Sequence, residues 1–232
     1  MFYKSYRSRN FVKEKVCQIY DTIDYAVLHP FSTLKKRAHE STIEFILKNC
    51  PKATACRTPK RLMDMALNNV SAKGAFLEFG VFKGASINYT AKRNPEQQIH
   101  GFDSFEGLQE AWVNNDKNAF SVGGVLPKVR GNVRLHKGYF DKTLPTWLNE
   151  NQDKVAFLHI DCDLYSSTKT IFDCLQDRIQ KGSIILFDDY FNFPNWQEDG
   201  HKVLNDFKQK ANMEYEYLGF AHKELAIKVT SI

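Results

Sequence analysis

Asp161 and Asp163 close the stretch FLHIDCD, and Asp188 and Asp189 close SIILFDD. In each case a short run of branched and aromatic residues stops abruptly at carboxylates, and a helix-length segment separates the two runs. Apolar runs of this length read as parallel strands buried on both faces of an α/β sheet. Both strands then release their acids at the carboxyl edge, where open α/β sheets bind ligands. Four carboxylates converging there suggest a cation site, because like charges so close require a counter-charge, either a proton or a metal.

A second group of residues points to a cofactor. FLEFGVFKGAS places Glu78 before a turn that contains Gly80 and Gly84. Glycine at position 80 lets the backbone approach a ligand, and a helix opening after Gly84 offers free amides to a carboxylate. Glu78 is suited to an ammonium group such as that of a methionine moiety. The spacing is not GxGxxG, so the pyrophosphate fingerprint of dinucleotide sites is lacking. Asp103 ends the next apolar run 23 residues after Gly80, where α/β nucleotide sites place an acid on ribose hydroxyls. Ser86 and Ser104 are further hydrogen-bonding candidates. Phe102, Phe105 and Tyr139 are placed either to flank an adenine ring or to fill the core. His136 and His159 read as satisfied core histidines rather than bases, and His201 is a third histidine that invites the role of base or ligand. Trp196 and Tyr165 suit sugar stacking and packing equally.

The elements that must position these residues follow from the spacing of apolar side chains. Residues 11–27 carry Val12, Val16, Ile19, Ile23 and Val27 at helical spacing, and His29-Pro30 breaks the pattern. A second helix is expected over 33–48 with Leu34, Ala38, Phe45 and Ile46 inward. Thr58-Pro59 opens a third, carrying Leu62, Met63, Ala66, Leu67 and Val70. Strands then alternate with helices: AFLEFG, a helix near 85–93, IHGFDSF, a long loop over 109–131, VRLHKG, a short helix, VAFLHIDCD, a helix near 166–180, SIILFDDY, and a helix near 199–211. The chain closes with EYEYLGF and LAIKV, which a short turn forces to pair antiparallel. Alternation of this kind means a parallel sheet. Five parallel strands and a terminal hairpin give a seven-stranded, mostly parallel, Rossmann-like α/β sheet in the order of a class I S-adenosylmethionine-dependent methyltransferase. Residues 1–57 are expected as an N-terminal helical extension, a lid or dimer surface, and 58–232 as the methyltransferase domain. The 109–131 loop has the length of a functional lid.

Composition narrows the partners. The 232 residues carry a formal charge of +5 without a concentrated basic stripe, which disfavours nucleic acid. Five cysteines, an odd number without zinc spacing, read as reduced thiols of a cytoplasmic protein. The N-terminus has no apolar stretch of signal-peptide type, and no segment approaches the roughly 20 apolar residues that insert in a membrane.

Several longer motifs in order, LEFGVFKGAS, GFDSFEGL, LHKGYFDKTLP, FLHIDCDLYSST and ILFDDYFNFPNW, resemble the macrocin O-methyltransferase-like family, whose members methylate sugar hydroxyls of macrolide and aminocoumarin antibiotics. The resemblance spans about 58–207. It implies S-adenosylmethionine as cofactor, magnesium held by Asp161, Asp188 and Asp189, Asp163 as general base, a sugar or glycoside acceptor and, with the apolar helical faces, a homodimer. Hard carboxylate oxygens suit magnesium with positions open for substrate hydroxyls. Two other readings stand beside this one: methylation of another vicinal diol such as a catechol, and a catalytically silent S-adenosylmethionine-binding module. A nicotinamide oxidoreductase is disfavoured by the missing glycine fingerprint and by the closing hairpin.

Overall fold

The computed structural model describes residues 15–16, 29–113 and 115–232. The helix expected over 11–27 lies outside these residues apart from Lys15 and Val16, as does Cys17. The other four cysteines are free thiols. Among the described residues no helix is long and apolar enough to cross a membrane.

One sheet organises the chain. Its strands are β1 (Thr54–Ala55), β2 (Ala75–Phe79), β3 (Ile99–Asp103), β4 (Val133–Lys137), β5 (Val155–Ile160), β6 (Ile184–Phe187), β7 (Glu214–Phe220) and β8 (Leu225–Ser231), in the spatial order β1-β7-β8-β6-β5-β2-β3-β4. Every pairing is parallel except those of β8 with β6 and β7. The mostly parallel sheet with a closing hairpin is thus present, with eight strands rather than seven. The additional strand, β1, is two residues long and pairs with Gly219 and Phe220, too short to leave an alternation in the sequence.

The helices are α1 (Pro30–Asn49), α2 (Pro59–Asn68), α3 (Ala85–Arg93), α4 (Phe140–Glu150), α5 (Tyr165–Leu175) and α6 (Gly200–Ala211). Thr58 caps α2 by accepting a hydrogen bond from the Arg61 amide at 3.3 Å, and Pro59 occupies its first turn. The helix expected to run to 180 stops at Leu175. Alternation along the strands divides the core. Leu77, Phe79, Leu158, Ile160, Ile185 and Phe187 share one cluster with α4, α5 and α6. Phe76, Phe157, Ile184 and Leu186 share the other with α2 and α3. Both faces are covered, which is why these strands read as continuous apolar runs.

Helix α1 packs on the segment that follows the second acid pair. Phe45 contacts the rings of Trp196 and His201 at centroid distances of 5.3 and 5.2 Å. The Asn192 amide donates to Thr42 Oγ1 at 2.9 Å, and Trp196 Nε1 donates to Ser41 Oγ at 3.1 Å. Ala38 is buried, and Phe45 and Ile46 are half-buried against the core as expected, but Leu34, near the start of the helix, is 46% exposed.

Candidate active site

Register sets the edge. Phe79 pairs with Ile160, and Ile160 with Phe187, so three strands end level and Gly80, Asp161 and Asp188 follow side by side. The backbone ladder continues through them: the Asp161 amide donates to the Phe79 carbonyl at 2.8 Å, and that of Asp188 to the Ile160 carbonyl at 2.9 Å. A cavity of about 360 Å³ opens above this edge, within the size range of small-molecule sites. One end is lined by Gly80, Asp103, Ser104, Gly138 and Tyr139, the other by Asp161, Asp163, Asp188, Asp189, Trp112 and Lys223.

The turn after β2 is built by left-handed residues, with φ of 94° at Gly80, 49° at Phe82 and 80° at Gly84. A Cβ at position 80 would stand 1.6 Å from the Asp161 carbonyl oxygen. The close approach that requires glycine is therefore to the neighbouring strand as well as to the cavity. This turn aims its amides at Asp103: Val81 and Phe82 donate to Oδ2 at 2.8 and 2.7 Å, and Phe105 donates to Oδ1 at 2.6 Å. Asp103 thus fixes two loops of the cavity while still facing it.

Glu78, Gly84 and Ser86 do not line the cavity. Alternation turns Glu78 toward α3, where it is 1% exposed. Its carboxylate accepts from Ser86 Oγ at 2.7 Å and pairs with His159 Nδ1 at 3.0 Å. Burial pulls the His159 pKa down, but the hydrogen bond and charge of Glu78, with the charges of Asp161 and Asp188, outweigh it and hold the imidazole at about 9. Gly84 caps α3 without facing the cavity.

The four edge acids are crowded. Burial, then the charge of Asp188, pushes the Asp161 carboxyl well above the usual carboxylate range. Burial, the charge of Asp189 and a hydrogen bond with it bring Asp163 to about 7. Burial raises Asp188 to about 6 against the opposing charge of His159, with Asp189 adding to the rise. Among the described residues, His159, Asp161 and Asp188 offer ligand atoms that all lie within 4.8 Å of one another. His159 is committed to Glu78, which leaves the two carboxylates as the free donors of that trio. Asp189 is turned instead toward Lys223, whose Nζ lies 2.9 Å from Oδ1. That oxygen is buried, and apart from this ion pair no donor among the described residues reaches it. Asp163 adopts a φ of 60°, a left-handed conformation that aspartate tolerates better than most non-glycine residues.

Other sequence candidates lie elsewhere. Phe102 stacks between Phe79 and His136 at 4.8 and 4.5 Å, and Phe105 is fully buried; both are core. His136 pairs with His100 at 3.0 Å, and His201 with Tyr190 and Asn205. Trp196 is buried under α1, and Tyr165 lies outside the main cavity. Lys223 and Trp112 were not singled out from sequence. Trp112 Nε1 donates to Asp199 Oδ2 at 3.2 Å, which pins the 109–113 segment at the acidic end. The one signal for Lys223 was topological: a parallel β7 carries the hairpin turn to the same edge.

Residues 77–190 match a family model described as a methyltransferase domain. The chain is 28% identical over 141 residues to a Streptomyces olivaceus protein named 8-demethyl-8-(2,3-dimethoxy-alpha-L-rhamnosyl)-tetracenomycin-C 4'-O-methyltransferase, covering 50% of this chain and 53% of that protein. The match therefore spans about half the length of that relative. Among solved structures, the calicheamicin methyltransferase CalS11 superposes with a TM-score of 0.62 at 21% identity, over 86% of this chain and 93% of that one. The O-methyltransferase NovP gives 0.56 at 20% identity, over 74% and 80%. These likenesses establish a shared fold.

Proposed function

We propose that this chain, which carries a methyltransferase domain over residues 77–190, transfers a methyl group from S-adenosylmethionine to a hydroxyl of a sugar or glycoside with the help of a magnesium ion. The observation that carries the reading is one shared cavity lined by both a loop-ordering acid at the end of β3 and a crowded set of acids after β5 and β6. The similarity to a rhamnosyl-tetracenomycin O-methyltransferase supports a sugar hydroxyl as acceptor.

The residues fit both absent groups. Asp103, Ser104 and Tyr139 line the end suited to ribose and adenine, and Gly80 leaves room along the floor. At the other end, carboxylates whose pKa values are raised by burial and by one another outnumber the cations set against them, and hard oxygen donors match a hard divalent cation. Asp161, Asp188 and Asp189 would hold it, Asp189 on release from Lys223. A bound magnesium ion supplies Lewis acidity that makes a chelated hydroxyl a better acid. Asp163, brought near neutrality by burial and by Asp189, is the group placed to take up the hydroxyl proton. His159, kept protonated by Glu78, holds positive charge beneath Asp161 and Asp188. Trp112 covers the acidic end and excludes water. Geometry does the rest by holding acceptor oxygen in line with the methyl group.

The test is methyl transfer from isotopically labelled S-adenosylmethionine to a panel of deoxysugar nucleotides and rhamnosyl glycosides, with magnesium or with EDTA. Labelled product that disappears in EDTA and returns with magnesium is expected. Transfer unaffected by EDTA would remove the metal from the reading, and failure to bind S-adenosylhomocysteine would remove the reading itself.

A further inference from the structure

We propose that Lys223 is the resident counter-ion of the acidic edge: it holds Asp189 until a divalent cation takes that carboxylate, and so sets how tightly the cation binds. This rests on the metal reading above. Lys223 lies in the turn between β7 and β8, and its backbone is tied to the loop that carries the acids. Its carbonyl accepts the Tyr190 amide at 2.9 Å, and its own amide donates to Glu224 Oε2 at 3.0 Å. The turn and the Asp188-Asp189 segment therefore move as one unit, with only the lysine stem free to adjust. Its ammonium stands 2.9 Å from Asp189 Oδ1, in a side chain 34% exposed against one 12% exposed. No other donor among the described residues reaches that buried carboxylate oxygen, so the lysine is what balances it.

An ammonium held on the carboxylate weakens its hold on a divalent cation, since the like charges repel at that separation. The stem is flexible and the charge compact, so Lys223 can swing away rather than block the site. From its place on Asp189 the ammonium already lies 5.7 Å from the Trp112 ring centroid and 6.0 Å from that of Phe193, at the outer range of cation–π attraction, so aromatic faces border it as it withdraws. Trp112 lines the cavity, and Phe193 packs against it at a centroid distance of 5.2 Å. Cation loading thus exchanges an internal ion pair for a metal–carboxylate contact and moves a positive charge onto the aromatic wall.

The experiment is calorimetric titration of magnesium into the metal-free full chain, comparing wild type with Lys223→Gln and Lys223→Arg at one pH and ionic strength. Removing the competitor should tighten magnesium binding about three- to fivefold in Lys223→Gln, the scale of a partly exposed ion pair. Lys223→Arg should retain the wild-type affinity. Binding seen only in Lys223→Gln would support the proposal more strongly, with the lysine occupying the site outright. Equal or weaker binding in Lys223→Gln, with wild type binding normally, overturns the proposal alone and leaves a lysine that only shapes the turn. No binding to either overturns the proposal together with the metal reading.

Discussion

Glu78 and His159 are each the penultimate residue of their strand, while Asp161, Asp163, Asp188 and Asp189 lie one to three residues past a strand end. Glu78 and His159 are 1% and 2% exposed, yet each has its partner, and Ser86 completes the set. The acids on the edge are less deeply buried but are surrounded by their own kind, with one lysine among the four. Opposite charges that satisfy each other hold a structure together. Like charges that do not are kept only where something is to be bound. The contrast separates a structural pair from a working cluster on the same strands.

The sharpest way to break that contrast is to neutralise one member of each group. Asp161→Asn and Asp188→Asn should lower methyl transfer at least about 1000-fold while leaving S-adenosylhomocysteine affinity, measured by calorimetry, within a few-fold of wild type. An active Asp161→Asn enzyme would remove the working cluster. His159→Gln should act chiefly on stability, costing about 3–5 kcal/mol in denaturant unfolding because it strands a buried carboxylate. Glu78→Gln should cost a similar amount, and the double variant less than the sum. Full stability in His159→Gln would dissolve the distinction. Asp103→Asn should weaken S-adenosylhomocysteine binding about tenfold, since one oxygen of its amide still accepts but the other position no longer can. Unchanged affinity would free Asp103 from the cofactor end.

The smallest effect is a pH dependence. Asp163 sits at about 7 in the fold, above the ordinary carboxylate value it regains on unfolding. Between those values the native state binds more protons, so this group makes unfolding easier as pH rises. In EDTA, Asp163→Asn should therefore raise the melting temperature by a few degrees at pH 8 and hardly at all near pH 4. A stabilisation that does not grow with pH would mean the edge is not crowded.

Much of this arrangement was legible in the sequence because both faces of the central strands are apolar and their ends are marked by charge. β2, α3, β5 and β6 begin and end close to where the residue pattern places them, and the acid pairs fall on one edge as parallel pairing requires. The partners of Glu78 were not legible. A strand buried on both faces carries no alternation, so nothing in AFLEFG says that Glu78 faces α3 rather than the cavity. Lys223 was hidden for another reason: a lysine in a turn reads as solvated, and only the direction of β7 brings it to the acids. The short β1 and the end of α5 at Leu175 depend on tertiary contacts that local propensity does not record.

The contact between Gly80 and the Asp161 carbonyl works as a gauge block. Main chain meets main chain there with no side chain between, so the spacing of the two halves of the cavity is set by backbone thickness. On the proposed function, sequence drift in the surrounding loops would reshape what an acceptor touches without changing how far it stands from the methyl donor. A change of acceptor would then be written in the 109–113 and 190–196 segments, while a side chain at Gly80 would disturb the joint between the first turn and the acid strand.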